Sequence, residues 1–222
     1  MTEQEAIRAR HAVRSYTDKP IEGEPLARLQ QAIADANRES GLHIQLCLDE
    51  PRAFSGLMAR YGKFTGANNY IALIGPKGSE LDEKGGYYGE KLVLAAQCLG
   101  LNTCWVALTY SKGKIAAGIA PGEKLLMVVT IGYGTTAGVP HKSKPLETLY
   151  QADGAVPDWF RRGMEAAQLA PTAVNQQKFR FTLAGNTVRA DAGSGPYAKT
   201  DLGIVKYHFE VGAGAETTWH WV

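Results

Sequence analysis

Ala170-Pro171-Thr172-Ala173-Val174-Asn175-Gln176-Gln177-Lys178-Phe179 is the stretch on which the reading of this chain turns. It follows an Ala- and Met-containing helical run and leads into an alternating strand, Phe179-Arg180-Phe181-Thr182-Leu183. Pro171 ends the helix, because its ring removes an N–H and disfavours helical geometry in the residue before it. The small residues that follow let the backbone approach whatever lies against it. Asn175 and Gln177 each offer an amide that donates and accepts hydrogen bonds. That pair suits a flat polar heterocycle with mixed edges. Local chemistry alone favours an ordinary helix-to-strand loop, and the rest of the chain reverses that preference.

Outward from this stretch, the chain reads as a second beginning from about Gln151. A helix over Pro157 to Leu169 precedes it, and Asn186-Thr187-Val188-Arg189-Ala190 suits a hairpin partner for the strand that follows. Gly193 to Pro196 forms a loop, Asp201 to Gly212 a capped helix, and Thr217 to Val222 a closing strand. Upstream, Thr2 with Glu5 spells a capping box. Residues 24 to 38 place Leu26, Leu29, Ile33 and Ala36 near one helical face. His43 to Leu48 and Tyr70 to Gly75 alternate as strands, and residues 50 to 69 show no clear period. Gly85-Gly86-Tyr87-Tyr88-Gly89-Glu90 opens a long apolar helix, Lys91 to Leu99, with Gly100 as its C-terminal cap. Asn102 to Val106 starts a new segment, a helix is expected over Lys112 to Ala117, and Leu125 to Gly132 is a buried strand.

The order helix, strand, strand, loop, helix, strand occurs twice. Cys98-Leu99-Gly100 followed by Thr103-Cys104-Trp105 matches Glu210-Val211-Gly212 followed by Thr217-Thr218-Trp219 in pattern more than in identity. The reading is an internal duplication with a shorter second copy, residues 1–150 and 151–222, although any two α+β segments of this length share some likeness.

Composition narrows the class. The 222 residues are 45% hydrophobic and 21% charged, with net charge +2, an ordinary globular balance. That charge is too mild for a nucleic-acid surface. Cys47, Cys98 and Cys104 are odd in number and lack a CxxC, so they read as buried thiols. No apolar run approaches the ~20 residues of a membrane span, and the polar, acidic N-terminus is no signal peptide. A soluble protein of the reducing cytoplasm is expected.

Arg10, His11 and Arg14 set three potentially cationic groups within five residues, and Lys142 and Lys144 add two more. Arginine forks match phosphate oxygens, while a solvated surface patch is the commoner use of either group. There is no GxSxG, HExxH or P-loop, and His43, His141, His208 and His220 show no metal-ligand spacing. Neither a catalytic dyad nor a metal is expected. A cationic set with an amide-rich loop fits a bound nucleotide cofactor that carries the chemistry itself.

These residues together resemble the nitroreductase family of FMN-dependent oxidoreductases. Arg10-His11-Ala12-Val13-Arg14-Ser15-Tyr16 is similar to its R-[RH]-S-x-R-x-[FY] motif, and Pro171 to Phe179 to its P-S-x-x-N-x-Q-P-W motif. Gly100-Leu101-Asn102-Thr103-Cys104-Trp105, Ile131-Gly132-Tyr133 and the Lys142/Lys144 pair match further family segments. Ala12 departs from the usual Ser, and Lys178-Phe179 from Pro-Trp. In ordinary members the P-S-x-x-N motif follows the arginine motif within a few dozen residues. Here Asn37-Arg38-Glu39-Ser40-Gly41 fills that slot, and the motif stands in the second copy.

Ordinary members are homodimers with FMN at the subunit interface. The resemblance therefore implies an α+β nitroreductase-like fold, with mixed or antiparallel central sheets flanked by helices, duplicated into a single-chain pseudo-dimer. It implies one FMN per chain between residues 1–150 and 151–222. Arg10, His11, Arg14, Lys142 and Lys144 would hold the phosphate, and Pro171, Thr172, Ala173, Asn175 and Gln177 would line the ring or ribityl chain. The backbone of Ala107, Leu108 and Thr109 would supply an N–H to flavin N5. The implied activity is hydride transfer from NADH or NADPH to a small nitroaromatic or quinone-like acceptor by a ping-pong scheme, with no nucleic-acid or membrane partner and with further self-association left open. An FMN-binding or sensing protein with little reductase activity is the alternative, and a domain that has lost its cofactor a third reading.

Overall fold

The computed structural model describes residues 1–215 and 219–222. In chain order these form α1 (Glu3–Ala9), α2 (Gly23–Ser40), β1 (Gln45–Cys47), α3 (Leu57–Tyr61), β2 (Tyr70–Pro76), α4 (Leu81–Cys98), β3 (Asn102–Val106) and β4 (Glu123–Gly132). They continue with β5 (Tyr150–Asp153), α5 (Asp158–Gln168), β6 (Arg180–Ala184), β7 (Thr187–Asp191), α6 (Ala198–Ala213) and β8 (His220–Trp221). The architecture is α+β with two four-stranded sheets, β1-β2-β4-β3 and β5-β6-β7-β8. Among the described residues no helix is long and apolar enough to cross a membrane. The chain divides into two compact units, one of Ala9–Leu81 with Lys91–Pro140, the other of Met1–Arg8, Asp82–Glu90 and His141–Val222.

In the first unit every sheet pairing is antiparallel. β4 sits between β2 and β3 and is buried from Leu126 to Gly132, as its unbroken apolar run requires. α2 buries Leu29, Ile33 and Ala36, the expected face, with Leu26 half-buried. Gly41 ends it in the left-handed region at φ 72°, returning its N–H to the Asn37 carbonyl. The Asn37 side chain then donates to the Ile44 carbonyl (2.9 Å) and accepts from the Ile44 N–H (2.7 Å), which ties the helix end to the approach of β1.

The second unit has a mixed sheet. β6 and β7 form the expected antiparallel hairpin, while β5 and β8 add parallel strands at its edges. α5 and α6 pack closely against each other at glycine positions. A Cβ on Gly163 would sit 2.6 Å from the Phe209 ring, and one on Gly212 2.5 Å from the Ala166 Cβ. Phe209 anchors an aromatic core, stacked on Phe181 at 4.9 Å and edge-on to Phe160 at 5.4 Å.

Four expectations change. The long helix starts at Leu81, ten residues before Lys91, and Gly85, Gly86 and Gly89 lie inside it. Glycine weakens an isolated helix, but Gly86 is required here, because a Cβ would stand 2.0 Å from the Thr200 carbonyl oxygen. No α-helix forms over Lys112 to Ala117; only a single 3-10 turn spans Lys112–Lys114. α6 begins at Ala198 with Tyr197 in the cap position, so Asp201 lies in the first turn and does not cap the helix. Of the closing strand only His220–Trp221 pairs with β7, and Thr217 and Thr218 lie outside the described residues.

Candidate functional site

The arginine motif in the first unit is extended rather than helical. α1 stops at Ala9, and the following residues bridge to three neighbours, Ala12 to Thr103, Ser15 to Thr65 and Tyr16 to Gly134. The Val13 N–H donates to the Thr103 carbonyl (3.0 Å), which prolongs the sheet beyond the β3 edge. Tyr16 is the buried anchor. Its hydroxyl donates to the Val13 carbonyl (2.6 Å) and shares a hydrogen bond with Thr130 Oγ1 (2.7 Å). Burial pushes the Tyr16 phenol far above its ordinary value, so the group stays protonated as this donor.

Arg10 is buried, His11 half-buried and Arg14 exposed. The Arg14 guanidinium lies 6.0 Å from the centre of the Phe64 ring, within the range of a cation–π contact. Burial raises the Cys104 thiol, and the positive charges of Arg14 and Arg10 act on it in the opposite direction. The loop from Gly134 to Pro140 covers the segment closely: a Cβ on Gly138 (φ 75°) would be 2.7 Å from the His11 Cβ. Ala107, Leu108 and Thr109 follow β3 as a bend, with Leu108 60% exposed. Thr109 packs so tightly on Gly62 that a Cβ there would fall 2.6 Å from its hydroxyl.

The second unit holds the other predicted residues and joins them directly. Gln177, only 3% exposed, accepts from the Lys144 N–H through its side-chain oxygen (2.9 Å). Its side-chain nitrogen donates to the Lys142 carbonyl (2.9 Å) and to Asn175 Oδ1 (2.8 Å). The Asn175 amide donates to the same Lys142 carbonyl (2.9 Å). The Lys144 ammonium donates to the carbonyls of Gln176 (2.9 Å) and Gln177 (2.8 Å). The basic pair and the amide loop, separated by some thirty residues in sequence, are thus one hydrogen-bonded body. Both lysines are exposed, and Lys144 spends its charge on the loop carbonyls.

The loop is strained. Val174, Asn175 and Gln177 have φ of 46°, 55° and 42°, a region that costs a non-glycine residue about 1–3 kcal/mol and persists only where surroundings enforce it. For branched Val174, 98% exposed, packing offers no return. Thr172 helps enforce the turn by accepting the Gln177 N–H on its hydroxyl (3.1 Å). Pro171 and Ala173 are half-buried beside it.

Sequence reasoning missed Asp201. Its carboxylate, 6% exposed, accepts from the Ala173 N–H (2.9 and 3.2 Å) and from the Gln176 amide (2.7 Å). Burial pushes its carboxyl above the usual aspartate range, and the Gln176 and Ala173 hydrogen bonds oppose that shift. An aspartate in the first turn of a helix ordinarily reads as a complement to the dipole, so no local signal distinguishes it. A groove of about 270 Å³ in the second unit, lined by residues including Gln4, Arg8, Arg162 and Glu165, contains none of the predicted site residues.

Structural likeness is broad. A nitroreductase-type structure from Thermotoga maritima ("putative nitroreductase") aligns with 20% identity over 95% of this chain and 83% of its own, at a TM-score of 0.65. One from Desulfovibrio desulfuricans, a "putative nitroreductase in complex with FMN", aligns with 22% identity over 67% of this chain and 95% of its own, at 0.54. A "putative NADH dehydrogenase/NAD(P)H nitroreductase" from Bacteroides thetaiotaomicron aligns with 20% identity over 66% and 94%, at 0.52. At these identities the likeness establishes the fold. No curated protein matches the chain. The family described as "Putative TM nitroreductase" matches residues 3–213, and with that span nearly the whole chain is accounted for: it belongs to this nitroreductase family.

Proposed function

We propose that this chain is an FMN-dependent oxidoreductase that takes electrons from NADH or NADPH and delivers them to nitroaromatic or quinone-like acceptors. Its family membership supports the reading. The observation in the fold that carries it is the strained Pro171–Gln177 loop, braced by Lys144 and Asp201 rather than left to relax. The donor chemistry fits FMN: guanidinium and ammonium groups for a phosphate, a hydroxyl and amides for a ribityl chain and a mixed-edged ring.

Arg10, His11, Arg14 and Lys142 would hold the phosphate. Thr172, Ala173 and Asn175 with Pro171 would line the ring or ribityl chain, while Gln177 and Lys144 hold that loop in shape. An N–H of Ala107, Leu108 or Thr109 would donate toward flavin N5, where a fixed donor stabilises added negative charge. When bound, FMN supplies reversible hydride acceptance at N5 and needs no side-chain acid or base. We read donor and acceptor as using the same flavin face in turn, which gives ping-pong kinetics.

We also propose that each chain binds one FMN, with residues 1–150 and 151–222 answering to the two subunits of ordinary relatives. The topologies support this. In the first sheet β2 and β3 run parallel with β4 between them; in the second, β7 and β8 run parallel and adjacent. The second sheet thus repeats the helix–hairpin–helix–strand order without a counterpart of β4.

The test is a visible spectrum of the purified protein, followed by FMN titration and anaerobic addition of NADH or NADPH. Flavin absorbance at one FMN per chain, bleached by nicotinamide and restored by a quinone, is expected. No flavin after titration overturns the assignment; bound flavin that nicotinamide fails to bleach makes the protein a binder rather than a reductase.

A further inference from the structure

The Pro171–Gln177 loop holds three non-glycine residues in the left-handed region, and a loop free to relax would not keep them there. On one side the Lys144 ammonium takes the carbonyls of Gln176 and Gln177. On the other, the Asp201 carboxylate takes the Ala173 N–H and the Gln176 amide, and that amide also donates to the Pro196 carbonyl (3.1 Å). These two braces grip opposite chemical ends of the turn, carbonyls by a cation and an N–H by an anion.

Asp201 is the better fixed of the two. It stands on the sixteen-residue α6, with its own N–H bonded to the Tyr197 carbonyl. Its neighbour Gly203 is pressed onto α4, where a Cβ would meet the Glu83 carbonyl oxygen at 2.0 Å. The carboxylate is therefore carried by a crossing that has no slack. Lys144, by contrast, reaches from an exposed irregular segment.

We propose that Asp201 is the positioning residue of the cofactor site: without touching FMN, it holds Thr172, Ala173 and Asn175 in the conformation that receives the cofactor. This rests on the FMN reading above. The chemistry also dictates which substitutions separate charge from shape. Asp201→Asn keeps an oxygen for the Ala173 N–H but sets an NH2 donor against the Gln176 amide, whereas Asp201→Ala leaves both donors without this acceptor. Gln176→Ala removes one arm of the brace and leaves Asp201 in place.

The experiment compares wild type, Asp201→Ala, Asp201→Asn and Gln176→Ala by two readouts. Hydrogen exchange of residues 172–177 in the FMN-free chain reports the loop, and quenching of flavin fluorescence reports FMN affinity. For Asp201→Ala, loss of protection at Ala173 and a Kd raised about tenfold or more are expected, the scale of a lost charge-assisted hydrogen bond. Asp201→Asn and Gln176→Ala each keep an acceptor for the Ala173 N–H and lose the Gln176 arm, so both fall between wild type and Asp201→Ala. The intermediate variants carry the comparison should Asp201→Ala fail to fold. A loosened loop with unchanged affinity overturns the inference, as does unchanged exchange. Wild-type chain that binds no FMN yet shows the same exchange pattern overturns the functional assignment and this inference with it, and leaves the brace itself intact.

Discussion

Gly86 of α4 and Gly203 of α6 meet at a backbone-to-backbone crossing: a Cβ on Gly86 would fall 2.0 Å from the Thr200 carbonyl oxygen, and one on Gly203 the same distance from that of Glu83. Neither contact is with a side chain that could swing away. Alanine at either position forces the helices apart. A loss of about 3 kcal/mol or more, at the upper end of overpacking effects, is expected in urea unfolding. Gly78, which has open space around it, is the control, and its alanine variant should stay within about 0.5 kcal/mol of wild type.

His208 and Glu90 form a fully buried pair at 2.8 Å. The other ring nitrogen faces the Ala166 carbonyl (3.0 Å) and so must donate. One proton therefore lies between imidazole and carboxylate. Glu90→Ala removes one partner and should cost about 3–5 kcal/mol. Glu90→Gln retains a donor to the ring nitrogen and should cost far less. Equal losses in thermal or urea unfolding would contradict this proton count.

Gln177 holds three groups of the 142–144 and 175 segments at once. Gln177→Ala leaves the Lys144 N–H without this acceptor, at about 1–3 kcal/mol. Gln177→Glu should be worse, because a buried carboxylate would face the Lys142 carbonyl. Limited proteolysis should cut near Lys142 and Lys144 faster in both variants, and fastest in the second.

Arg14 is exposed, whereas Arg10 is buried. Arg14→Ala should therefore weaken FMN binding about tenfold or more, the scale of a charged hydrogen bond, with little change in melting temperature. Arg10→Ala should lower both. Flavin fluorescence titration beside calorimetry checks the pair, and unchanged affinity in Arg14→Ala would remove it from the phosphate set.

The acidity of Asp201 is weakened by burial. Between the ordinary aspartate range and the raised folded-state value, the folded chain binds more protons than the unfolded one. Stability contributed by this group is thus complete below the unfolded value and is lost as pH rises through the folded one. Urea midpoints measured across mildly acidic pH should show this component in wild type and lack it in Asp201→Asn.

Much of this architecture is written in short-range signals. The capping box forms as spelled, with the Thr2 N–H donating to Glu5 (2.8 Å) and the Glu5 N–H to the Thr2 hydroxyl (3.3 Å). The unbroken apolar run of β4 lands between two strands, and Gly185 at φ 58° turns the β6–β7 hairpin. The misreadings have long-range causes. Gly86 resembles a helix breaker until Thr200, more than a hundred positions on, is brought against it. Lys112 to Ala117, expected as a helix, stops after one 3-10 turn, next to the Ser111 N–H that donates to the Ala53 carbonyl. Asp201 carries no local mark of its task, because its partners at Ala173 and Gln176 precede its helix by a hairpin and a loop.

The Gln177 amide points into its own scaffold, with both of its polar ends engaged by residues 142, 144 and 175. A motif letter can thus be retained by selection on a hinge-free frame as readily as by selection on ligand contact, and the two leave the same imprint in a consensus pattern. Transplanting the Pro171–Gln177 heptapeptide alone into another scaffold would carry the letters and lose the shape. A working graft must bring residues 142–144 and an acidic residue in the place of Asp201 along with it.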